Sequence, residues 1–345
     1  MQQLIRHRIM RYNLYLILIL ALPSLICCGQ INNNQETEKN NYTIIESYTN
    51  LSGFQYLTPD SSYNLPLTKR GYTIYLPKGN VRGTLVYYGI IPDSTIKNDA
   101  VKVIAPAVAK NIAVIYLSIG KEDWLFSDEE TKSLDSILNN ALVKCNLKEK
   151  PIFFVGMSTG GTMIMKHAEY CLKEKSEFKI KPNGLVLIDA PLDFVRWWYS
   201  REKEKRDNYN SDAYFEANWT NYYLEKNLHG TPENAMQNYV EYSPYVYSDA
   251  IKKKLILYNK MPILAITEPD ILWFMEERGK DYYGMNCVDL AAFINDLRVR
   301  GNKRATLINT SGKGYRENGN RHPHSWSIVD VDELVKWCIE IIETK

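Results

Sequence analysis

The chain has 345 residues, 45% of them hydrophobic, 24% charged and 12% aromatic, with a formal net charge of +2. That profile excludes collagen-like, disordered and multi-span membrane classes and allows one large domain or two small ones. There is no basic stripe, so nucleic acid is not an expected partner.

The first elements concern the compartment. Arg6, Arg8 and Arg11 give a basic start, and Leu14 to Ile26 then read LYLILILALPSLI. This run of 13 residues falls short of the roughly 20 that span a bilayer, but suits the apolar region of a signal peptide. The following Leu25-Ile26-Cys27-Cys28-Gly29 resembles the lipobox of bacterial lipoproteins. The resemblance implies lipidation at Cys28, with Cys27 as the fallback. Residues 1–27 are therefore expected to be a lipoprotein signal peptide, 28–41 a solvated tether, and 42–345 the folded domain. The expected location is a bacterial cell envelope, on its periplasmic or surface face, with the membrane as partner through the anchor.

Further along, β-rich runs alternate with helical ones. Strands are expected at Gly71–Pro77, Thr84–Tyr88, Ile112–Leu117, Pro151–Val155, Leu185–Ile188, Ile263–Ile266 and Ala305–Ile308. Helices are expected at Asp99–Lys110, from the capping box Ser127-Asp128-Glu129-Glu130 to about Val143, and at Thr159–Lys175, Asp289–Val299 and Val331–Ile342. The alternation predicts an α/β protein with a mostly parallel sheet covered on both faces. A long aromatic-rich insertion, at about 191–256, breaks the rhythm. It carries Trp197, Trp198, Trp219 and many tyrosines and reads as a cap with its own small core. An even alternative gives its rings a role in stacking on sugar or phenolic substrate faces.

Phe153-Phe154-Val155-Gly156-Met157-Ser158-Thr159-Gly160-Gly161 carries the chemistry: a buried strand enters G-x-S-x-G and a helix follows. The glycines permit a tight turn that exposes the serine hydroxyl at the carboxyl end of the sheet. A phosphate loop is excluded, because Thr162-Met163 stands where Lys-Ser/Thr is required. From about Gly71 to the C-terminus the chain resembles the α/β-hydrolase superfamily, esterases and prolyl-oligopeptidase-like members included. The resemblance implies Ser158 as nucleophile, with an oxyanion hole from the N–H groups of Thr159 and Ile90. In the Arg321-His322-Pro323-His324-Ser325-Trp326 loop it implies His324 as base, His322 being the alternative. After the strand ending at Ile266 it implies Asp270 as the orienting acid, with Glu268 as the alternative. Asp189 and Asp193 lie where a few hydrolases place theirs, although turn capping or anchoring of the insertion is the commoner role. His167, nine residues into the helix after Ser158 and so roughly 13 Å along its axis, is out of reach of the serine.

These readings predict a serine hydrolase, most plausibly of carboxylic esters on carbohydrates or phenolics, working through an acyl-enzyme without a cofactor. A prolyl-oligopeptidase-like peptidase and a non-catalytic surface binding protein are the alternatives. Cys145, Cys171, Cys287 and Cys338 lie in no CxxC and accompany no HExxH, so they read as buried free thiols and no metal site is expected.

Overall fold

The computed structural model describes residues 41–58, 64–92 and 99–344. The expected signal peptide, Cys27 and Cys28 lie outside them. Ten strands and nine helices are described, together with short 3-10 turns. In chain order they are β1 (Tyr42–Asn50), β2 (Phe54–Tyr56), β3 (Asn64–Pro66), β4 (Lys69–Pro77), β5 (Gly83–Tyr88), α1 (Ile104–Ala109), β6 (Ile112–Ile119), α2 (Asp128–Lys144), β7 (Ile152–Met157), α3 (Thr159–Leu172) and β8 (Gly184–Ile188). There follow α4 (Phe194–Asp207), α5 (Ser211–Leu228), α6 (Pro232–Tyr242), β9 (Ile263–Thr267), α7 (Ile271–Arg278), α8 (Cys287–Val299), β10 (Ala305–Asn309) and α9 (Val331–Glu343).

Eight strands form one sheet in the order β1-β4-β6-β5-β7-β8-β9-β10, and β2 pairs with β3 separately. β4 runs antiparallel to β1 and β6, whereas every pairing from β6 to β10 is parallel. The central strands β5, β6, β8 and β9 are buried along their whole length, and β7 all but its last residue, because helices cover both faces. One face packs against α2, α3 and α8 through Leu138, Ile164 and Phe293; the other meets α1 and α9 through Val108 and Val335.

Local chemistry explains the boundaries. Ser127 Oγ accepts the Glu130 N–H at 3.1 Å and Glu130 Oε2 accepts the Ser127 N–H at 3.2 Å, a reciprocal cap that opens α2. The helix expected from Asp99 divides into a 3-10 turn, Asp99–Val103, and α1. Pro106 is tolerated there because the first turn of a helix leaves N–H groups unused. The edge strand β1 and the helix α7 lie outside the expected set. β1 alternates no more than weakly between half-buried and exposed positions, so it carries little hydrophobic period to read.

Between β8 and β9, α4, α5 and α6 build the inserted cap. Trp197, Trp198, Tyr223 and Tyr239 form a separate core there with Trp124 and Phe126 from the chain after β6. Cys145, Cys171, Cys287 and Cys338 are free. Among the described residues no helix is long and apolar enough to cross a membrane.

Candidate active site

Ser158 is the single residue between β7 and α3. It holds φ 53° and ψ −129°, a strained conformation of the kind that concentrates at functional turns. Its surroundings overdetermine it. The Ser158 N–H donates to Ile188 O at 2.9 Å, and Ser158 O accepts from Gly161 N at 2.9 Å. A Cβ at position 156 would stand 2.2 Å from Gly160 O, so that residue must be glycine for strand and helix to meet so closely.

Asp189 leaves the end of the next strand. Met157 is paired with Ile188, so Ser158 and Asp189 occupy neighbouring strand ends, roughly 5 Å apart across the sheet. The Asp189 N–H donates to Ile266 O at 2.8 Å, and the residue is 5% exposed with φ 40°. His324, in the loop between β10 and α9, donates from Nδ1 to Asp189 Oδ2 at 2.6 Å. Thr267 Oγ1 donates to Asp189 Oδ1 at 2.7 Å, and Asn286 Nδ2 donates to Asp189 O at 2.9 Å. Among the described residues no hydrogen bond reaches His324 Nε2, nor does one join it to Ser158 Oγ; such bonds commonly tighten only once substrate is bound.

This geometry sets Asp189, not the expected Asp270, against His324. Asp270 bonds Arg321 Nη2 at 2.6 Å and caps α7 through the Trp273 N–H at 3.2 Å. Glu268 is also held by Arg321, at 2.5 Å, and accepts from Thr310 Oγ1 and from the N–H groups of Lys313 and Gly314. Burial raises the Glu268 pKa, but Thr310, those two N–H groups and Arg321 together bring it below the usual range. Neither carboxylate bonds a histidine among the described residues. Both are consumed in fixing the loop that delivers His324. Asp193 anchors the cap: its carboxylate accepts the Arg196 N–H at 3.0 Å and the Tyr247 N–H at 2.8 Å.

The alternative base, His322, is held in a different way. His322 Nδ1 donates to His324 O at 2.8 Å, and Nε2 accepts from Arg316 Nη2 at 3.0 Å. Burial, and then Arg316, push its pKa down to about 3. Both ring nitrogens are thus committed, and the surroundings disfavour the protonated form.

On the other side of Ser158, α3 begins with Thr159, whose N–H has no acceptor within the helix. After β5 the chain turns through Gly89, φ +74°, to the buried Ile90. A Cβ at position 160 would lie 3.1 Å from Tyr88 O, so the β5 loop lies against the first turn of α3. The two N–H groups expected to hold an oxyanion thus belong to adjoining segments, at the positive end of a helix.

The cap approaches from above. Glu216 on α5 accepts from Arg201 Nη2 and Arg278 Nη2, each at 2.9 Å. Burial opposes its ionisation, but Arg201, Lys280, Arg278 and His324 hold its carboxyl well below the usual range. α7 links this cluster to the histidine loop, because Trp273 packs edge-on against His322 with centroids 4.8 Å apart.

One further group has metal-ligand chemistry. Donor atoms of Asp135, His167 and Cys171 lie within 4.8 Å of one another in the core. Hydrogen bonds already engage them. His167 Nε2 donates to Asp135 Oδ1 at 2.8 Å, Ser176 Oγ donates to Asp135 Oδ2 at 2.7 Å, and Tyr88 OH donates to His167 Nδ1 at 2.8 Å. Burial pushes the Cys171 thiol well above its ordinary pKa, away from the thiolate a metal needs.

No family model and no curated protein matches this sequence. Solved structures do match in fold. A truncated carbohydrate esterase from gut microbiota aligns with TM-score 0.50 and 16% identity, over 89% of this chain and 99% of that one. A prolyl endopeptidase aligns with TM-score 0.50 and 12% identity over 90% of this chain; the match covers 40% of that longer protein. Sheet order, helical flanks and these likenesses agree that the chain has the α/β-hydrolase fold.

Proposed function

We propose that the protein is a serine hydrolase of carboxylic esters in which Ser158 is nucleophile, His324 the base and Asp189 the acid that orients it. The observation that carries the reading is the His324–Asp189 bond of 2.6 Å, one strand end from a serine held on a strained turn, with the distal imidazole nitrogen unengaged among the described residues. In the proposed cycle His324 Nε2 takes the Ser158 proton as Oγ adds to the carbonyl carbon. The resulting oxyanion is met by the N–H groups of Thr159 and Ile90. The C–O bond to the alcohol then breaks, with His324 returning its proton to the leaving oxygen. Water, activated by the same nitrogen, cleaves the acyl-enzyme. No step calls for a cofactor. Thr267 and Asn286 hold Asp189 so that the imidazole keeps one tautomer. Export and lipidation at Cys28 are proposed as its route to the cell envelope.

The test is labelling of the protein without residues 1–28 by a fluorophosphonate probe, beside Ser158→Ala, His324→Ala and His322→Ala. Labelling should vanish with the first, collapse with the second and persist with the third. A folded protein that does not label would overturn the proposal. Metabolic labelling with a palmitate analogue, lost on Cys28→Ser, tests the anchor.

A further inference from the structure

The sheet order assigns sides to the site. The strands run β6, β5, β7, β8, so Ser158 at the end of β7 is flanked by Asp189 and His324 on the β8 side. The histidine protonates the leaving group, which therefore lies on that side. The acyl part must extend the other way, past Ile90 toward the end of β6.

A carboxylate waits there. Glu122 lies in the loop after β6, and its backbone is pinned from two other elements. Gln55 Nε2 donates to Glu122 O at 2.7 Å, the Glu122 N–H donates to Gln55 Oε1 at 2.8 Å, and Tyr223 OH of the cap donates to Glu122 O at 3.2 Å. Its side chain turns toward the nucleophile, where Thr159 Oγ1 donates to Oε1 at 3.3 Å. Among the described residues no lysine or arginine pairs with it. The neighbouring cation, Lys121, is committed to Asp123 and Glu130, each at 2.8 Å. Burial raises the Glu122 pKa, and the Trp124 indole and the Thr159 hydroxyl offset this only in part.

An uncompensated, half-buried carboxylate is costly anywhere. Beside an oxyanion hole it is more so, because it opposes the negative charge that develops on the substrate. A cation brought by the substrate removes both penalties. We infer that Glu122 is a specificity-determining residue that binds a protonated amine on the acyl part of the substrate, so that the preferred substrates are aminoacyl compounds. This rests on the proposed serine-hydrolase reading and deepens it. The ammonium sits against Glu122, the carbonyl carbon at Ser158 Oγ and the leaving group at His324. An aminoacyl ester and the free N-terminus of a peptide present the same chemistry on that side.

The experiment compares p-nitrophenyl esters of alanine, N-acetylalanine and propionic acid at pH 6.5, with alanine p-nitroanilide as the amide. The wild type should favour the alanine ester over the other two by about tenfold or more in kcat/KM, after spontaneous hydrolysis is subtracted. Glu122→Gln should abolish that preference, bringing the alanine-to-propionate ratio of kcat/KM close to one. Hydrolysis of the anilide would point to peptides as the source of the amine, and its absence to esters; either keeps the inference. Equal rates on the three esters in the wild type would overturn it, as would equal losses on all three in the variant. The wild-type comparison needs no variant, so misfolding of Glu122→Gln does not spare the inference. A wild type that labels with fluorophosphonate yet shows no amine preference fails here alone, whereas one that does not label fails the underlying reading.

Discussion

His324 and His167 each hold an aspartate through one ring nitrogen, at 2.6 Å to Asp189 and 2.8 Å to Asp135. They differ in what meets the other nitrogen. Tyr88 OH occupies Nδ1 of His167, and the ring is 0% exposed and stacked on Phe154, 5.1 Å away. Among the described residues no hydrogen bond engages His324 Nε2, and its side chain is 26% exposed. An imidazole–carboxylate pair with both nitrogens filled is a tie, whereas one with a nitrogen left open suits the proton transfer proposed for His324. The buried tie joins β5, α3 and α2. It therefore holds the strand that leads into Gly89 and Ile90 against the helix that Ser158 opens, so the buried pair supports the turn that carries the proposed nucleophile.

The sharpest way to break the comparison is at two of the acids that the sequence offers, Asp189 and Asp270. Asp189→Asn should lower kcat by about 10³–10⁴-fold, because an amide no longer selects the tautomer or stabilises the imidazolium. Asp270→Asn should leave kcat within a few-fold. Asparagine still caps α7, and the lost contact to Arg321 is a partly exposed ion pair of about 0–1 kcal/mol. Steady-state rates on a neutral ester, with urea melts for stability, check both; a larger kcat loss from Asp270→Asn would reverse the assignment.

The buried pair should answer in the opposite currency. His167→Phe leaves Asp135 with the Ser176 hydroxyl and a distant thiol, and strands the Tyr88 hydroxyl in the core. The expected loss is about 3–5 kcal/mol of stability. Tyr88→Phe should cost about 1–3 kcal/mol through one unsatisfied nitrogen. Urea midpoints measure both losses. Fluorophosphonate labelling of the folded fraction should persist, and its loss at full stability would move His167 into the chemistry.

Much of this was legible in the sequence, and the exception is instructive. The strand, the glycines and the helix around Ser158 specify one local geometry, and the shortage of histidines pointed to the loop carrying His324. Glu268 and Asp270 follow the right strand in the right order, which is why the sequence points to them. The structure pairs both with Arg321, three residues before His324; no spacing rule connects positions so far apart. Thr267 was the available signal. Thr267, which ends β9, reaches sideways to Asp189, and a hydroxyl buried at a strand end needs such a partner. Glu122 gave no signal at all, since its role depends on Gln55 and Tyr223 arriving from distant elements.

Thr267→Val sharpens that point at a smaller scale. The isosteric change removes the hydroxyl that donates to Asp189 Oδ1 and leaves the carboxylate to His324, with Asn286 still bonded to the Asp189 main-chain carbonyl. A loss of about tenfold in kcat, equivalent to about 1.4 kcal/mol, is expected with KM nearly constant, since substrate does not touch this residue. A rise in KM with kcat unchanged would place Thr267 in binding instead.

The smallest effect separates the two neighbouring histidines of the loop. His322 faces Arg316 and, more distantly, Arg278 and His324, with Trp273 against its ring. Its folded pKa, about 3, lies below the ordinary value of 6.5, so the native ring refuses a proton that the unfolded chain accepts. Between those values the unfolded state binds more protons and stability rises with pH. The contribution is complete above about pH 6.5 and is lost progressively on acidification toward pH 3. His322→Asn should therefore flatten the fall in urea midpoint between pH 7.5 and pH 5, while every carboxylate contributes equally to both proteins. Superimposable profiles would mean that Arg316 and the His324 carbonyl do not hold the ring neutral. His322 would then regain its standing as an alternative base.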